Sequence, residues 1–258
     1  MVDLDIDIYR LLNKQIKINE FRYLSSGDDS DTFLCNEQYV VKLPKRDSVR
    51  NAQKREFGLY RFLENCNLSY QTPMVVYQSD QFNIMTYIKG EHITYEQYHK
   101  LSEKEKDALA YDEATFLKEL HSIEIDCSAS LFSDVRENKQ DKFLKDKESL
   151  ISILKKEQLL TTDILEHIEL IYSTILNNTV LFEYTPCLVH NDFSADNMIF
   201  KNNRLFGVID FGDYIVGDPD NDFLCLLDCS EDDFGKDFGR RVLRYYQHKE
   251  PEVAERKA

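Results

Sequence analysis

The chain has 258 residues, of which 42% are hydrophobic, and this content can bury one large core or two modest ones. Its formal net charge of −15 argues against binding to nucleic acid, which depends on cationic contacts to phosphate. Cationic small molecules are the partners that this charge favours.

The start of the chain lacks the basic and apolar segments of a secretory signal, and no apolar run is long enough to span a membrane. The six cysteines lack the paired spacing of a metal site. Cys225 and Cys229 are one helical turn apart but have no His or further Cys nearby. We therefore expect reduced thiols and a cytoplasmic protein without a membrane partner.

Two short strands are predicted at residues 21–24 and 32–35, with a polar loop between them. Hydroxyl and backbone N–H groups in this loop could meet phosphate oxygens. The residues that would do so are Ser25, Ser26, Gly27 and Ser30. Nearby aspartates would oppose a phosphate charge, so a plain hairpin turn remains the alternative.

A strand is predicted at residues 39–44 and contains Lys42. In the helix that follows, the 100° step between residues places Glu56 in the middle of the apolar face. A carboxylate turned toward a core needs a cationic partner or takes up a proton, and Lys42 is the natural partner. Surface pairing with Lys54 or Arg55 is the alternative.

A further strand runs from residue 82 into Gly90, and beyond it the pattern is mostly helical. Apolar residues recur at helical spacing over residues 109–121 and over the longer span 150–176. We expect an α+β fold with two lobes. The division near Gly90 gives a strand-rich N-terminal lobe with one key helix, residues 1–89, and a larger helical lobe, residues 90–258.

The most informative stretch contains apolar runs at residues 188–189, 198–200 and 205–209, which predict short buried strands. The pair Asn202-Asn203 predicts a turn between the last two runs. These patterns indicate a hairpin embedded in the helical lobe.

In that hairpin Asn197 would oppose Val208 and lie diagonal to Asp210, about 7 to 8 Å away on the same face. An amide oxygen and a carboxylate at this distance can share Mg²⁺ with substrate phosphates. Asp192 would lie in the loop entering the hairpin, where it could accept the proton of an attacking hydroxyl. Taken singly, His190, Asp192 and Asn197 could also be ordinary turn residues.

Much of the acidic excess follows Asp210, and a cleft lined with carboxylates would attract and orient a polycation. Asp213 is the first candidate for contact with a substrate amine. Asp218 precedes a proline, which is typical of a helix N-cap, so we expect a structural role. Glu231 and Asp232 begin another predicted helix, where they could contact substrate or complement the helix dipole.

The ordered set His190, Asp192, Asn197 and Asp210-Phe-Gly resembles the protein-kinase signature, with Asn191 where protein kinases usually carry Arg. His-Asn-Asp is the form found in small-molecule kinases of the aminoglycoside phosphotransferase type. From residues 22–35 to residues 217–223, the chain resembles the aminoglycoside 2''-phosphotransferases, which are bacterial resistance enzymes.

This resemblance implies a bilobal, kinase-like fold and a Mg²⁺-bound nucleoside triphosphate donor, ATP or GTP. It implies transfer of the γ-phosphoryl group to the 2''-hydroxyl of a gentamicin- or kanamycin-type aminoglycoside by a monomer. The implied roles are catalytic base and acceptor contact for Asp192, metal ligand for Asn197 and Asp210, nucleotide positioning for Lys42 and Glu56, and backbone contact with the purine for Thr86 and Ile88.

Other classes fit less well. A protein kinase should carry a longer activation segment that ends in Ala-Pro-Glu. In this chain the segment after the Asp-Phe-Gly motif is short, and only residues 217–219 stand where Ala-Pro-Glu would be expected. An inactive nucleotide-binding scaffold would be expected to have lost Lys42, Asp192 or Asp210. A kinase acting on choline or a sugar remains the alternative.

Members of the resembled family continue past the segment that matches residues 252–258 into helices that contain Trp, and this chain has no Trp. If residues 1–258 are the entire polypeptide, the resemblance implies a C-terminal lobe without the family's terminal helices and with one wall of the acceptor cleft missing.

Overall fold

A computed structural model describes residues 6–26, 29–227 and 234–247. The first part of the chain forms helices and strands in the order α1 (Ile6–Gln15), β1 (Phe21–Ser26), β2 (Ser30–Cys35), β3 (Tyr39–Pro44), α2 (Asp47–Leu63), β4 (Val75–Gln78) and β5 (Asn83–Thr86). The second part forms α3 (Tyr95–Lys100), α4 (Glu103–His121), α5 (Ser130–Ser133), α6 (Lys139–Lys156), α7 (Thr162–Asn177), β6 (Cys187–Val189), β7 (Met198–Lys201), β8 (Arg204–Val208), β9 (Ile215–Gly217), α8 (Leu224–Leu227) and α9 (Lys236–Tyr246). The predicted α+β class is confirmed.

The strands of the N-terminal part form one antiparallel sheet in the order β1-β2-β3-β5-β4. β2 and β3 carry apolar and β-branched residues, and they turn through Asn36 and Glu37, both with positive φ. Asn tolerates this left-handed conformation better than most residues. The predicted strands at residues 21–24, 32–35 and 39–44 are present, and the strand predicted from residue 82 shortens to β5.

Both faces of this sheet are covered by helices. α2 turns Phe57, Leu59, Tyr60 and Leu63 toward the main core, which continues into the helical part of the chain. On the opposite side α1 contributes Leu12 to a smaller core. The lobe therefore contains a second helix, α1, besides the key helix α2 that the sequence predicted.

The C-terminal part is organised around α4, which begins with a capping box made by Ser102 and Glu105 and packs against α9. The helical pattern predicted over residues 150–176 is two helices, α6 and α7. Gln158 adopts a positive φ after α6, and the Thr161 side chain caps α7 by accepting a hydrogen bond from Ile164 N. The apolar spacing continues across the break between the two helices, so the sequence pattern by itself did not predict the break.

The two parts meet where the β7–β8 hairpin lies against the segments before β4 and after β5. Glu91 exchanges backbone hydrogen bonds of 3.0 and 2.8 Å with Phe200, and Gln71 N donates to Phe206 O at 3.0 Å. A Cβ atom on Gly90 would lie 2.6 Å from Phe200 O, so this close approach requires glycine.

In the part of the chain that is described, no helix is long and apolar enough to cross a membrane. The described cysteines, Cys35, Cys66, Cys127, Cys187 and Cys225, form no disulfide.

Candidate active site

A cavity of about 370 Å³ lies between the N-terminal sheet, α2 and the loops around the β7–β8 hairpin. It is more polar than apolar and opens to solvent on one side. The residues singled out from the sequence that line it are Ser25, Ser30, Lys42, Glu56, Asp192, Asp210 and Asp213. The fold thus brings together residues that are up to 188 positions apart in the chain, from Ser25 to Asp213.

The predicted ion pair between β3 and α2 is present. Lys42 Nζ lies 2.9 Å from Glu56 Oε1 and 3.3 Å from Asp210 Oδ1. Burial opposes the charge on Lys42, but the two carboxylates outweigh it and raise the lysine pKa. Burial raises the pKa of Glu56, and the Lys42 ammonium opposes that shift. Lys42 therefore remains a fixed cation at the wall of the cavity.

Asp210 lies two residues after β8 at the start of a tight turn and has a left-handed backbone, with φ 59° and ψ 65°. Its side chain is 53% exposed, on the cavity side. The Lys42 ammonium holds the pKa of this carboxyl below its ordinary value, against the opposing effect of burial. Asp210 therefore presents an anionic carboxylate oxygen to the cavity, which is the kind of group that can bind a metal.

In the loop before β7, hydrogen bonds hold the carboxylate, the backbone oxygen and the backbone N–H of Asp192. Asn197 Nδ2 donates to the carboxylate Oδ2 and to the backbone oxygen of Asp192, each at 2.8 Å. Asp192 N donates to His190 Nδ1 at 3.3 Å. Because the Asn197 amide nitrogen is turned toward Asp192, the amide oxygen is the atom that can bind a metal.

The predicted register of the β7–β8 hairpin is wrong by one residue. Val208 pairs with Met198, and Ile209 N donates to Asn197 O at 2.9 Å. A bulge between Ile199 and Phe200 shifts the alignment that the turn alone would give. Asn197 therefore faces Ile209, and the diagonal relation to Asp210 that was used to predict a shared metal site does not hold.

The polar loop between β1 and β2 divides into residues that reach the cavity and residues that do not. Ser25 and Ser30 line it. The Ser26 hydroxyl instead donates to Asp31 Oδ1 at 2.6 Å and accepts from Lys45 Nζ at 2.5 Å, so these partners occupy it. Gly27 lies outside the described residues.

Thr86 is the last residue of β5 and Ile88 lies two residues beyond it, and neither is among the residues that line this cavity. Thr86 N donates to Met74 O at 2.9 Å, and Thr86 Oγ1 accepts from Met74 N at the same distance. The Thr86 amide hydrogen is therefore not available to a purine. Ile88 is buried.

Among the acidic residues after Asp210, Asp213 is exposed and lines the cavity. Desolvation raises its pKa, and the neighbouring charges of Asp192 and Asp210 act in the same direction. Asp218 accepts a hydrogen bond from Asp220 N as an N-cap and pairs with Lys139 at 2.8 Å, so its predicted structural role is confirmed. Glu231 and Asp232 lie outside the described residues.

Sequence reasoning missed two groups that shape the site. Gln53 lines the cavity and connects Ser30 to Asn83 through hydrogen bonds of 2.6 Å each. Its position one turn before Glu56 on the buried face of α2 is the signal that could have identified it. Asp222, fully buried, accepts backbone hydrogen bonds from His190 at 3.0 Å and Asn191 at 2.7 Å, and no local pattern indicates this contact.

Comparison with known proteins gives one consistent family. The sequence pattern of the phosphotransferase enzyme family matches residues 20–257 of this chain. The streptomycin and ATP complex of APH(2'')-IIa is 84% identical, with a TM-score of 0.94, and the match covers 100% of this chain and 87% of that one. A gentamicin complex of APH(2'')-IIa is 84% identical with a TM-score of 0.92, covering 100% and 86%. A GDP and kanamycin complex of APH(2'')-IIIa is 25% identical with a TM-score of 0.80, covering 98% and 86%.

Proposed function

Because this chain belongs to the phosphotransferase enzyme family, we propose that it transfers the γ-phosphoryl group of ATP or GTP to the 2''-hydroxyl of an aminoglycoside antibiotic and so confers resistance. The observation that carries the proposal is the single cavity in which Asp192, Asp210 and the Lys42–Glu56 pair converge. Two structures that are 84% identical over the whole chain contain bound antibiotic. One holds streptomycin together with ATP, and the other holds gentamicin. The gentamicin and kanamycin class is the acceptor that we propose.

Asp192 acts as the catalytic base. Its carboxylate is exposed to the cavity and is held by Asn197, so it can orient the acceptor hydroxyl and take its proton as the O–P bond forms. The leaving group is the nucleoside diphosphate. Asp213 lies in the same cavity and is available to bind an ammonium group of the acceptor.

The donor phosphates lie against the cation of Lys42 and the hydroxyl groups of Ser25 and Ser30. Glu56 keeps Lys42 directed into the cavity through the ion pair. Thr86 and Ile88 contribute carbonyl and backbone groups to purine binding on the β5 side. The N-terminal lobe, residues 1–89, is thus the nucleotide-binding lobe, and residues 90–258 form the catalytic and acceptor-binding lobe.

The residues present fit Mg²⁺. Asp210 and Asn197 offer a carboxylate and an amide oxygen, the hard donors that this ion prefers, and within the described ranges no cluster of three or more His, Cys, Asp or Glu side chains could hold a metal unaided. Two protein ligands leave positions for phosphate oxygens, as in other phosphoryl-transfer sites. When bound, Mg²⁺ would offset the charge of the triphosphate.

We place this activity in the cytoplasm, where nucleoside triphosphates are available and thiols such as the free Cys66 and Cys127 stay reduced.

A phosphate-transfer panel tests the acceptor class. Radiolabelled ATP and GTP are incubated with the protein and with kanamycin, 2''-deoxykanamycin, choline or a neutral sugar. We expect label on kanamycin and none on its 2''-deoxy analogue, with Asp192→Asn as the inactive control. Equal labelling of the deoxy analogue would contradict the 2''-position, and labelling of choline or sugar alone would identify the alternative kinase.

A further inference from the structure

The hydroxyl group of Tyr60 joins α2 to the turn that begins at Asp210. Tyr60 lies one helical turn after Glu56 and is fully buried, with 0% of its surface exposed. Its hydroxyl donates to Glu56 Oε1 at 3.0 Å and accepts from the backbone N–H groups of Asp210 at 3.1 Å and Phe211 at 3.4 Å. A phenolic oxygen has one hydrogen and two acceptor lone pairs, so these three contacts use its full capacity.

The Tyr60 hydroxyl contacts two residues that line the cavity, Glu56 and Asp210. Glu56 is the partner of Lys42, and Asp210 also contacts Lys42. Asp210 has a left-handed backbone, which a residue other than glycine keeps only where its surroundings hold it. The Tyr60 ring meets Phe211 edge to face, with the ring centroids 5.9 Å apart. One side chain therefore holds both a helix residue and the turn.

The oxygen atom is not needed to fill space. A phenylalanine ring would occupy nearly the same volume, and burying a hydroxyl is unfavourable unless its hydrogen bonds are made. A phenol is protonated at neutral pH, so Tyr60 keeps the hydrogen that it donates to Glu56.

We propose that the Tyr60 hydroxyl is a positioning group for the reaction, which holds Glu56 toward Lys42 and keeps Asp210 in the conformation that binds metal. This inference rests on the proposed function, in which Asp210 is a metal ligand. Without the hydroxyl, the backbone N–H groups of Asp210 and Phe211 lose their acceptor and the turn can leave this conformation. The fraction of enzyme ready to bind metal then falls, and its apparent affinity falls by the same factor.

The test is Tyr60→Phe, which keeps the ring and removes only the oxygen. We expect the Mg²⁺ concentration for half-maximal kcat to rise on the order of five- to tenfold, the size expected for losing one hydrogen bond. The aminoglycoside KM should stay unchanged, because the acceptor contacts come from other residues.

Tyr70→Phe is the matched control. The Tyr70 hydroxyl also donates to a carboxylate paired with a cation, Asp112 Oδ1 at 3.3 Å, with Arg204 as the cation. These residues are not among those that line the cavity. We expect an unchanged Mg²⁺ requirement. An unchanged Mg²⁺ requirement in Tyr60→Phe, or an equal rise in both variants, would overturn the proposal.

Amide hydrogen exchange of the protein without nucleotide gives a measurement that does not depend on activity. The Asp210 and Phe211 amides of the wild type should exchange slowly, and Tyr60→Phe should expose them while Tyr70→Phe does not. Wild-type exchange as fast as in an open loop would overturn the proposal even if Tyr60→Phe failed to fold. If no aminoglycoside is phosphorylated, the proposed function fails, and this exchange result still stands or falls separately.

Discussion

At the scale of single residues, the site depends on carboxylates in different settings. Glu56 is buried and paired with Lys42, whereas Asp192 is partly exposed and bound by the Asn197 amide. A buried carboxylate that loses its cation leaves an uncompensated charge, whereas a carboxylate at a cavity wall is free to meet substrate. The same chemical group is therefore suited to a supporting role at Glu56 and to the reactive role that we propose for Asp192.

Asp192→Asn should lower kcat by about 10² to 10⁴, the usual contribution of a general base, and leave nucleotide affinity nearly unchanged. The change keeps the side-chain shape but removes the group that accepts the proton. Steady-state kinetics and calorimetric titration with ADP measure the two effects. Asp196→Asn, at an exposed carboxylate on the same loop, is the control and should keep wild-type turnover. Near-normal kcat in Asp192→Asn would remove its assignment as the base.

Lys42 and Glu56 should act as one unit in a double-mutant cycle. Lys42→Met and Glu56→Gln are each expected to lower kcat/KM by nearly as much as both together, because either change breaks the same ion pair. The control cycle uses Lys54 and Asp80, which are 2.8 Å apart but exposed, and whose coupling should be below about 1 kcal/mol. Additive effects at Lys42 and Glu56 would show that the pair has no shared role.

At the scale of elements, helix α9 approaches the end of α8 through a glycine. A Cβ atom on Gly239 would clash with the backbone oxygen of Leu226, which belongs to a carbonyl group and cannot turn aside as a side chain can. α9 also packs along α4, and His121 at the C-terminal end of α4 forms a hydrogen bond of 2.9 Å with Asp222. Asp222 in turn accepts hydrogen bonds from the backbone of His190 and Asn191. These contacts link α9 to the loop that holds Asp192.

Gly239→Ala should lower the free energy of unfolding by about 1 to 3 kcal/mol, because the added methyl group forces the two helices apart. Thermal and urea denaturation measure the change. Gly58→Ala, in the middle of α2, is the matched control. Its Cβ would meet only the movable end of Leu131 at 3.1 Å, and alanine favours a helix by up to about 1 kcal/mol, so stability should hold or rise. Equal stability of both variants would contradict the close contact.

At the scale of the whole molecule, the net charge of −15 acts on the two substrates in opposite ways. A polycationic aminoglycoside is drawn toward the protein, and an anionic nucleotide is repelled by the long-range field. Local cations such as Lys42 must offset this repulsion at the phosphate site. The net charge of the chain thus favours binding of the cationic acceptor. Binding of the anionic donor depends instead on a few local cations under the proposed function.

Raising the salt concentration should lower kcat/KM for kanamycin and change kcat/KM for the nucleotide little or upward. The Debye length falls from about 30 Å at 0.01 M to about 8 Å at 0.15 M salt, so the attraction is screened over most of the approach. Kinetics at fixed Mg²⁺ with one substrate saturating separate the two values. An identical fall for both substrates would indicate a general effect of salt on the enzyme.

The sequence by itself predicted β1 to β3, β5 to β8 and the helices α2 and α4, whereas it missed β4, β9 and α1. Lys42 and Glu56 could be paired in advance because a helical period of 3.6 residues places Glu56 among apolar neighbours, where a carboxylate needs a cation. The order of His190, Asp192, Asn197 and Asp210 identified the family. These inferences depend on interactions between residues near one another in the chain, or on chemistry that burial demands.

Only the tertiary structure decided the partners of Asn197, Ser26 and Tyr60. The bulge after Ile199 moved Asn197 opposite Ile209, and no local pattern specified that extra residue. Ser26 was diverted to Asp31 and Lys45, while Tyr60 reached Asp210 across 150 positions of the chain. Such contacts are set by how helices and strands pack into a common core, because hydrogen-bonding groups there take whichever partners the packed backbone brings within reach.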